Sequence, residues 1–138
     1  MTYNVFLGIL LAAIANMILG MLWYNPLVFG KTWMKLTNIK PADIARMKKT
    51  GSTTKAYLSS FLAAIITAYV LAIFLKMSAA STTAEGAVVG LLAWLGFVAT
   101  TSLGDYLYAC KPKQLYWLNN GYNLISFILM AMIVASAM

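Results

Sequence analysis

Three carboxylates, ten basic residues, one cysteine and no histidine make up the charged and metal-binding side chains of this 138-residue chain. General acid–base and nucleophilic catalysis need a positioned base beside the reacting group. Only Asp105 and Glu85 lie near apolar sequence, so the chain reads as a non-enzyme, with lipid chemistry at Asp105 the one catalytic alternative. A lone Cys110 allows no disulfide framework, and without histidine there is no zinc ligand set. Cys110 is read as a small interfacial residue, and no cofactor, metal or Gly-rich phosphate loop is expected.

The remaining polar chemistry sits inside apolar stretches. Asn16 interrupts the first. Thr100, Thr101, Ser102, Asp105, Tyr106 and Tyr108 close the third, and Asn119, Asn120, Tyr122, Asn123 and Ser126 open the fourth. A buried amide is costly unless paired, so Asn16 must face protein or water. Asn119, Asn123 and Ser126 share a helical face by their four- and three-residue spacing. Polar side chains at membrane depth mark solute or ion paths, which makes Asn16, Thr101, Asp105, Asn119, Asn123 and Ser126 the path candidates. The same amides also serve as interhelical bonds, at about 0.6 kcal/mol each on average, and that reading comes before a path. Asp105 is expected to pair with Lys111 or Lys113.

What positions these residues is a membrane. The chain is 62% hydrophobic and 9% charged, with mean hydropathy +0.82, whereas a soluble domain carries about 25% charged residues. Four apolar runs, Val5–Trp23, Ala56–Leu75, Ala84–Gly104 and Leu115–Ala137, each reach the roughly 20 residues that cross a bilayer as helix. Backbone groups in hydrocarbon must be satisfied within the segment, and without alternating polar residues a barrel is excluded. The expected fold is therefore an all-α membrane protein over residues 1–138, a bundle of four transmembrane helices. A short cytoplasmic interfacial helix is expected in the basic loop 24–55. The chain's start resembles a signal peptide at Ala13 and Ala15, but no Lys or Arg precedes the apolar run, which argues against cleavage.

Nine of the ten basic residues lie between spans one and two or between spans three and four; Lys76 is the exception. Lys and Arg concentrate in cytoplasmic loops, so both termini are expected to face away from the cytoplasm of a cell, or inner, membrane. The same bias argues against insertion in both orientations. Net charge +7 is explained by topology and by attraction to anionic lipid, and no nucleic-acid partner is expected.

Trp23 and Tyr24 are placed as headgroup anchors, followed by Phe29 and Trp33 among Lys31 and Lys35 in a segment that reads as membrane-lying. Pro41 to Lys49 has the signals of a short helix, with Pro first, Asp43 early, bases late and Gly51 beyond. It reads equally as a surface helix or a solvated connector. Thr82 and Glu85 fit a capping box, which competes with a proton-carrying role for Glu85. Small residues mark contact faces: Gly8, Ala12, Asn16 and Gly20 on span one, Gly86 and Gly90 on span three. These faces pack within the bundle or, alternatively, between copies.

The run Trp23-Tyr24-Asn25-Pro26-Leu27-Val28-Phe29-Gly30-Lys31-Thr32-Trp33 fits Trp-Tyr-x-Pro-x-x-Phe-Gly-x-x-Trp, and Asn120-Gly121-Tyr122 precedes an apolar tail. On these motifs, its size and its four spans, the chain resembles the bacterial membrane family catalogued as domain of unknown function 1761. The resemblance implies a small multi-pass membrane protein and brings no activity or catalytic residues. Two functions then compete. One is a homo-oligomeric permease or channel for a small polar solute or ion. The other is a non-transporting module that contacts anionic lipid or a partner membrane protein.

Overall fold

The computed structural model describes residues 1–138 and contains helices and no strands. Four helical segments are long and apolar enough to cross a membrane: α1 (Tyr3–Trp23), α4 (Ser52–Met77), a third running Thr83–Leu107, and α7 (Lys113–Ser136). All four extend a few residues beyond the apolar runs at one end or both, because helical hydrogen bonding continues into the polar flanks. Lys55 thus falls in α4 rather than in the loop.

The connection between α1 and α4 carries two helices, α2 (Gly30–Thr37) and α3 (Pro41–Thr50), where one was expected. Asn38 ends α2 in the left-handed conformation, φ 57°, and the Ile39 amide closes it onto the Met34 carbonyl at 3.0 Å. α3 starts at Pro41 and stops at Gly51, φ 78°, where a left-handed residue without Cβ is unstrained. Asp43 accepts from the Lys40 amide and holds Arg46 in the chain's one ion pair.

The third span is divided into α5 (Thr83–Trp94), a π turn (Leu95–Ala99) and α6 (Thr100–Leu107). Its start is the expected capping box: Thr82 accepts from the Glu85 amide, while Glu85 accepts from the amides of Ser81 and Thr82. The π turn was not foreseen.

α7 is the hub, touching α1, α4 and α5. Glycines permit the closest approaches. A Cβ on Gly90 would stand 2.5 Å from the Phe127 carbonyl oxygen and 2.9 Å from the Ile128 Cα, and one on Gly8 would stand 2.6 Å from the Ala137 Cβ. Such contact is what binds helices in lipid, where burying apolar surface gives little advantage. The core is Ala12, Ala68, Leu71, Ala72, Leu75, Met130, Ala131 and Val134, all but closed to solvent.

The contact of Gly8 with Ala137 puts both chain ends together. Gly86 against Ala135 brings the α4–α5 turn to that same end. Trp23 meets Leu118 at the other. Nine of ten basic residues therefore gather at the end opposite the termini.

Candidate functional site

The two motif segments, far apart in sequence, dock on each other. The Trp23 indole donates to the Leu118 carbonyl at 3.2 Å, and the Tyr24 hydroxyl donates to Asn119 Oδ1 at 2.7 Å. Rings complete the joint: Trp23 with Phe29 at 4.7 Å between centroids, Tyr24 with Tyr122 at 5.4 Å and with Trp33 at 5.9 Å. Edge and tilted geometries of this kind add about 0.5–1.5 kcal/mol per pair beyond area burial.

Local backbone needs explain the glycines in both motifs. The Gly30 amide bonds the Asn25 carbonyl at 2.9 Å, and any Cβ there would collide with the Tyr24 carbonyl. A Cβ on Gly121 would sit 3.2 Å from the Trp23 ring. The residues read as headgroup anchors thus grade: Phe29, 39% exposed, is the most open, whereas Trp23, Tyr24 and Trp33 are half-buried against the bundle. Burial pushes the Tyr24 hydroxyl, one residue beyond the span, up to about 12, with Tyr122 adding to the effect. It stays a hydrogen-bond donor at any physiological pH.

Deeper along the α1–α7 contact, Asn16 Oδ1 accepts from the Tyr122 hydroxyl at 3.0 Å and from the Ser126 hydroxyl. The Tyr122 oxygen also lies 3.4 Å from the Asn16 carbonyl. Small Gly20, one turn from Asn16, leaves room for that hydroxyl. Two path candidates, Asn16 and Ser126, are therefore bonded to each other between helices.

The α6–α7 side differs. Four successive carbonyls of the π turn each receive a hydroxyl: Thr100 on Gly96 at 2.7 Å, Thr101 on Phe97 at 2.6 Å, Ser102 on Val98 at 2.7 Å and Tyr116 on Ala99 at 2.8 Å. A widened turn leaves carbonyls poorly served, and in lipid they need such partners. Thr101 is consequently exposed and engaged with its own helix, away from the other candidates.

Asn120, almost fully buried, accepts from Ser102 at 3.1 Å and donates to the Tyr116 carbonyl at 3.0 Å. Its sequence signal is the four-residue spacing from Tyr116, on the face beside the one that Asn119, Asn123 and Ser126 share.

Between α6 and α7, at the basic end, these elements enclose a cleft of about 320 Å³ lined by Ser102, Asp105, Lys111, Tyr116, Asn120 and Asn123, with Asn119 at its edge toward Tyr24. Asp105, Asn119 and Asn123 are the path candidates brought together here. The expected ion pair of Asp105 with Lys111 or Lys113 does not form: the only ion pair is Arg46–Asp43. Asp105, Lys111 and Lys113 are all exposed. The turn is closed by main chain instead, the Lys111 amide reaching the Asp105 carbonyl at 3.4 Å past Cys110 at φ 54°.

The match with known sequences covers this whole architecture. A family model described as Protein of unknown function (DUF1761) matches residues 7–135. The chain belongs to this family. The matched residues run from within α1 almost to the end of α7, so they include the Trp23–Trp33 joint and the cleft. No curated protein and no solved structure matches the chain. The DUF1761 description assigns no chemistry, and the cleft must be read from its own residues.

Proposed function

We propose that this DUF1761 protein is a non-transporting membrane binding module that holds a small polar group, from a lipid or a solute, in the α6–α7 cleft. The observation that carries the reading is which polar groups remain free. Asn16, Ser126, Asn119 and Asn120 are each hydrogen-bonded between helices, whereas the Asn123 amide and the Asp105 carboxylate make no side-chain bond in the protein, and both line the cleft. An unbonded amide and an unbonded carboxylate in one cleft at the headgroup level are open to a partner from outside the chain.

The cleft is blind. Beyond Ser126, Met130, Ala131 and Val134 are closed off against Ala12, Leu71 and Leu75, so a single bundle offers no polar route onward. A permease, the competing reading, would need its path between copies. The basic end is assigned to the cytoplasmic face by its charge, where Lys31 and Lys35 on α2 meet anionic headgroups. The module carries no reaction, and turnover of a lipid by the purified protein would overturn that part.

The test is ligand retention. Protein purified in mild detergent from its membrane should carry a bound lipid or solute visible by native mass spectrometry, and Asn123→Leu, which replaces the amide with an apolar group of nearly the same shape, should lose it. Equal retention by both proteins would refute the site. Ion or solute flux in liposomes would favour the permease.

A further inference from the structure

The chain has three carboxylates, and two of them have local structural partners. Asp43 caps α3 and holds Arg46, and Glu85 closes the capping box of α5. Asp105 has no partner, and it lines the α6–α7 cleft together with Lys111, which has none either. Opposite charges held on one small cleft without neutralising each other create a site of no net charge with a negative and a positive side. A simple anion would gain Lys111 but meet Asp105; a simple cation faces the reverse. A molecule carrying both charges satisfies both.

We infer that the cleft takes a compact zwitterion, with an ammonium group beside Asp105 and a phosphate or carboxylate beside Lys111; phosphoethanolamine is the form that a bilayer supplies. This rests on the binding reading above and gives the ligand class. The Tyr106 and Tyr116 rings, 6.0 Å apart, line the same cleft, and aromatic faces attract ammonium groups. The Asn123 amide, two turns beyond Tyr116 on α7, offers the ligand a further polar contact at the deeper end of the cleft. A volume of about 320 Å³ equals about ten waters' share of the liquid, enough for a headgroup while its acyl chains stay in the bilayer. The cleft lies where headgroups lie, between the last turn of α6 and the first turns of α7.

The full-length protein would be equilibrated in mixed micelles of phosphatidylethanolamine and phosphatidylglycerol, and retained lipid counted by native mass spectrometry. Free phosphoethanolamine, ethanolamine and inorganic phosphate would be titrated calorimetrically in parallel. Retention of phosphatidylethanolamine should exceed that of phosphatidylglycerol on the order of tenfold, the effect of one charge-assisted hydrogen bond. Asp105→Asn should abolish that preference, Lys111→Gln should weaken retention of both lipids, and Asp43→Asn, the same charge change elsewhere, should alter nothing. Binding of free phosphoethanolamine, more tightly than either half-molecule and without lipid retention, would support the zwitterion and identify its source as a solute.

Retention that Asn123→Leu abolishes but that shows no headgroup preference, or a preference that survives Asp105→Asn, would overturn the zwitterion while leaving the binding site standing. No retention of any ligand would overturn both.

Discussion

Tyr24 and Asn119 stand 95 positions apart in sequence and share a 2.7 Å hydrogen bond that ties the end of α1 to the edge of the α6–α7 cleft. The bond joins the Trp23–Trp33 segment to the polar start of α7, so one contact serves both the bundle's assembly and the placement of the cleft. Tyr24→Phe should leave the fold intact and destabilise it by about 0.6 kcal/mol, the average for polar contacts between membrane helices, and by no more than about 1.7 kcal/mol. Reversible unfolding in mixed micelles would read this. A change below the error of the method would mean that the bond carries no weight.

The same hydroxyl gives a pH dependence. Its folded value, about 12, lies above the ordinary 10.0, so between these values the folded state holds a proton that the unfolded chain has released. The contribution of Tyr24 to stability is therefore complete below pH 10 and lost as pH rises through about 12. Unfolding titrations of wild type and Tyr24→Phe should run parallel to about pH 9 and converge above pH 10.

Glycines of the third span should differ sharply. Gly90→Ala forces a methyl into the Phe127 and Ile128 backbone, which cannot move aside as a side chain would, and overpacking of this kind costs about 1–3 kcal/mol. Gly104, where a Cβ would meet nothing within 4 Å, should accept alanine with no loss or a gain of about 0.5–1 kcal/mol from helix propensity. The thermal melt should fall for Gly90→Ala and hold or rise for Gly104→Ala; equal shifts would contradict the close α5–α7 packing.

Asn16 separates the two functional readings. Asn16→Ala leaves the hydroxyls of Tyr122 and Ser126 without their shared acceptor, and the expected result is lower stability with unchanged ligand retention in the cleft. If liposome flux exists and this variant alters it, Asn16 lies on a path and the binding reading is wrong.

Membrane orientation has a probe already present. Cys110 is exposed at the basic end, so an impermeant thiol reagent should reach it in inverted vesicles and fail in intact cells. A cysteine at Thr2, placed in a Cys110→Gly background that suits the positive φ, should show the opposite pattern. Labelling of both from one side would reject the proposed orientation.

Four helices, their order and the gathering of positive charge between particular spans were legible in the residues alone. Hydrocarbon imposes a constraint that is local and additive: each span needs about 20 apolar residues and an internally bonded backbone. Helix ends were likewise readable where side chain and main chain meet within a few positions, as at Thr82–Glu85 and Pro41–Gly51. The π turn at Leu95–Ala99 was not, because its carbonyls are served partly by Tyr116 from another helix.

The division of the polar residues was decided only by the tertiary structure. Asn16, Asn119 and Asn123 are chemically the same, and spacing assigns them faces without saying what each face meets. Packing on α7 gives the first to Tyr122 and Ser126, the second to Tyr24, and leaves the third free in the cleft that Asp105 and Lys111 also line. Whether an amide is a bond between helices or part of a site depends on a partner supplied from far along the chain. That partner is fixed by how the helices rotate and cross when glycines let them touch.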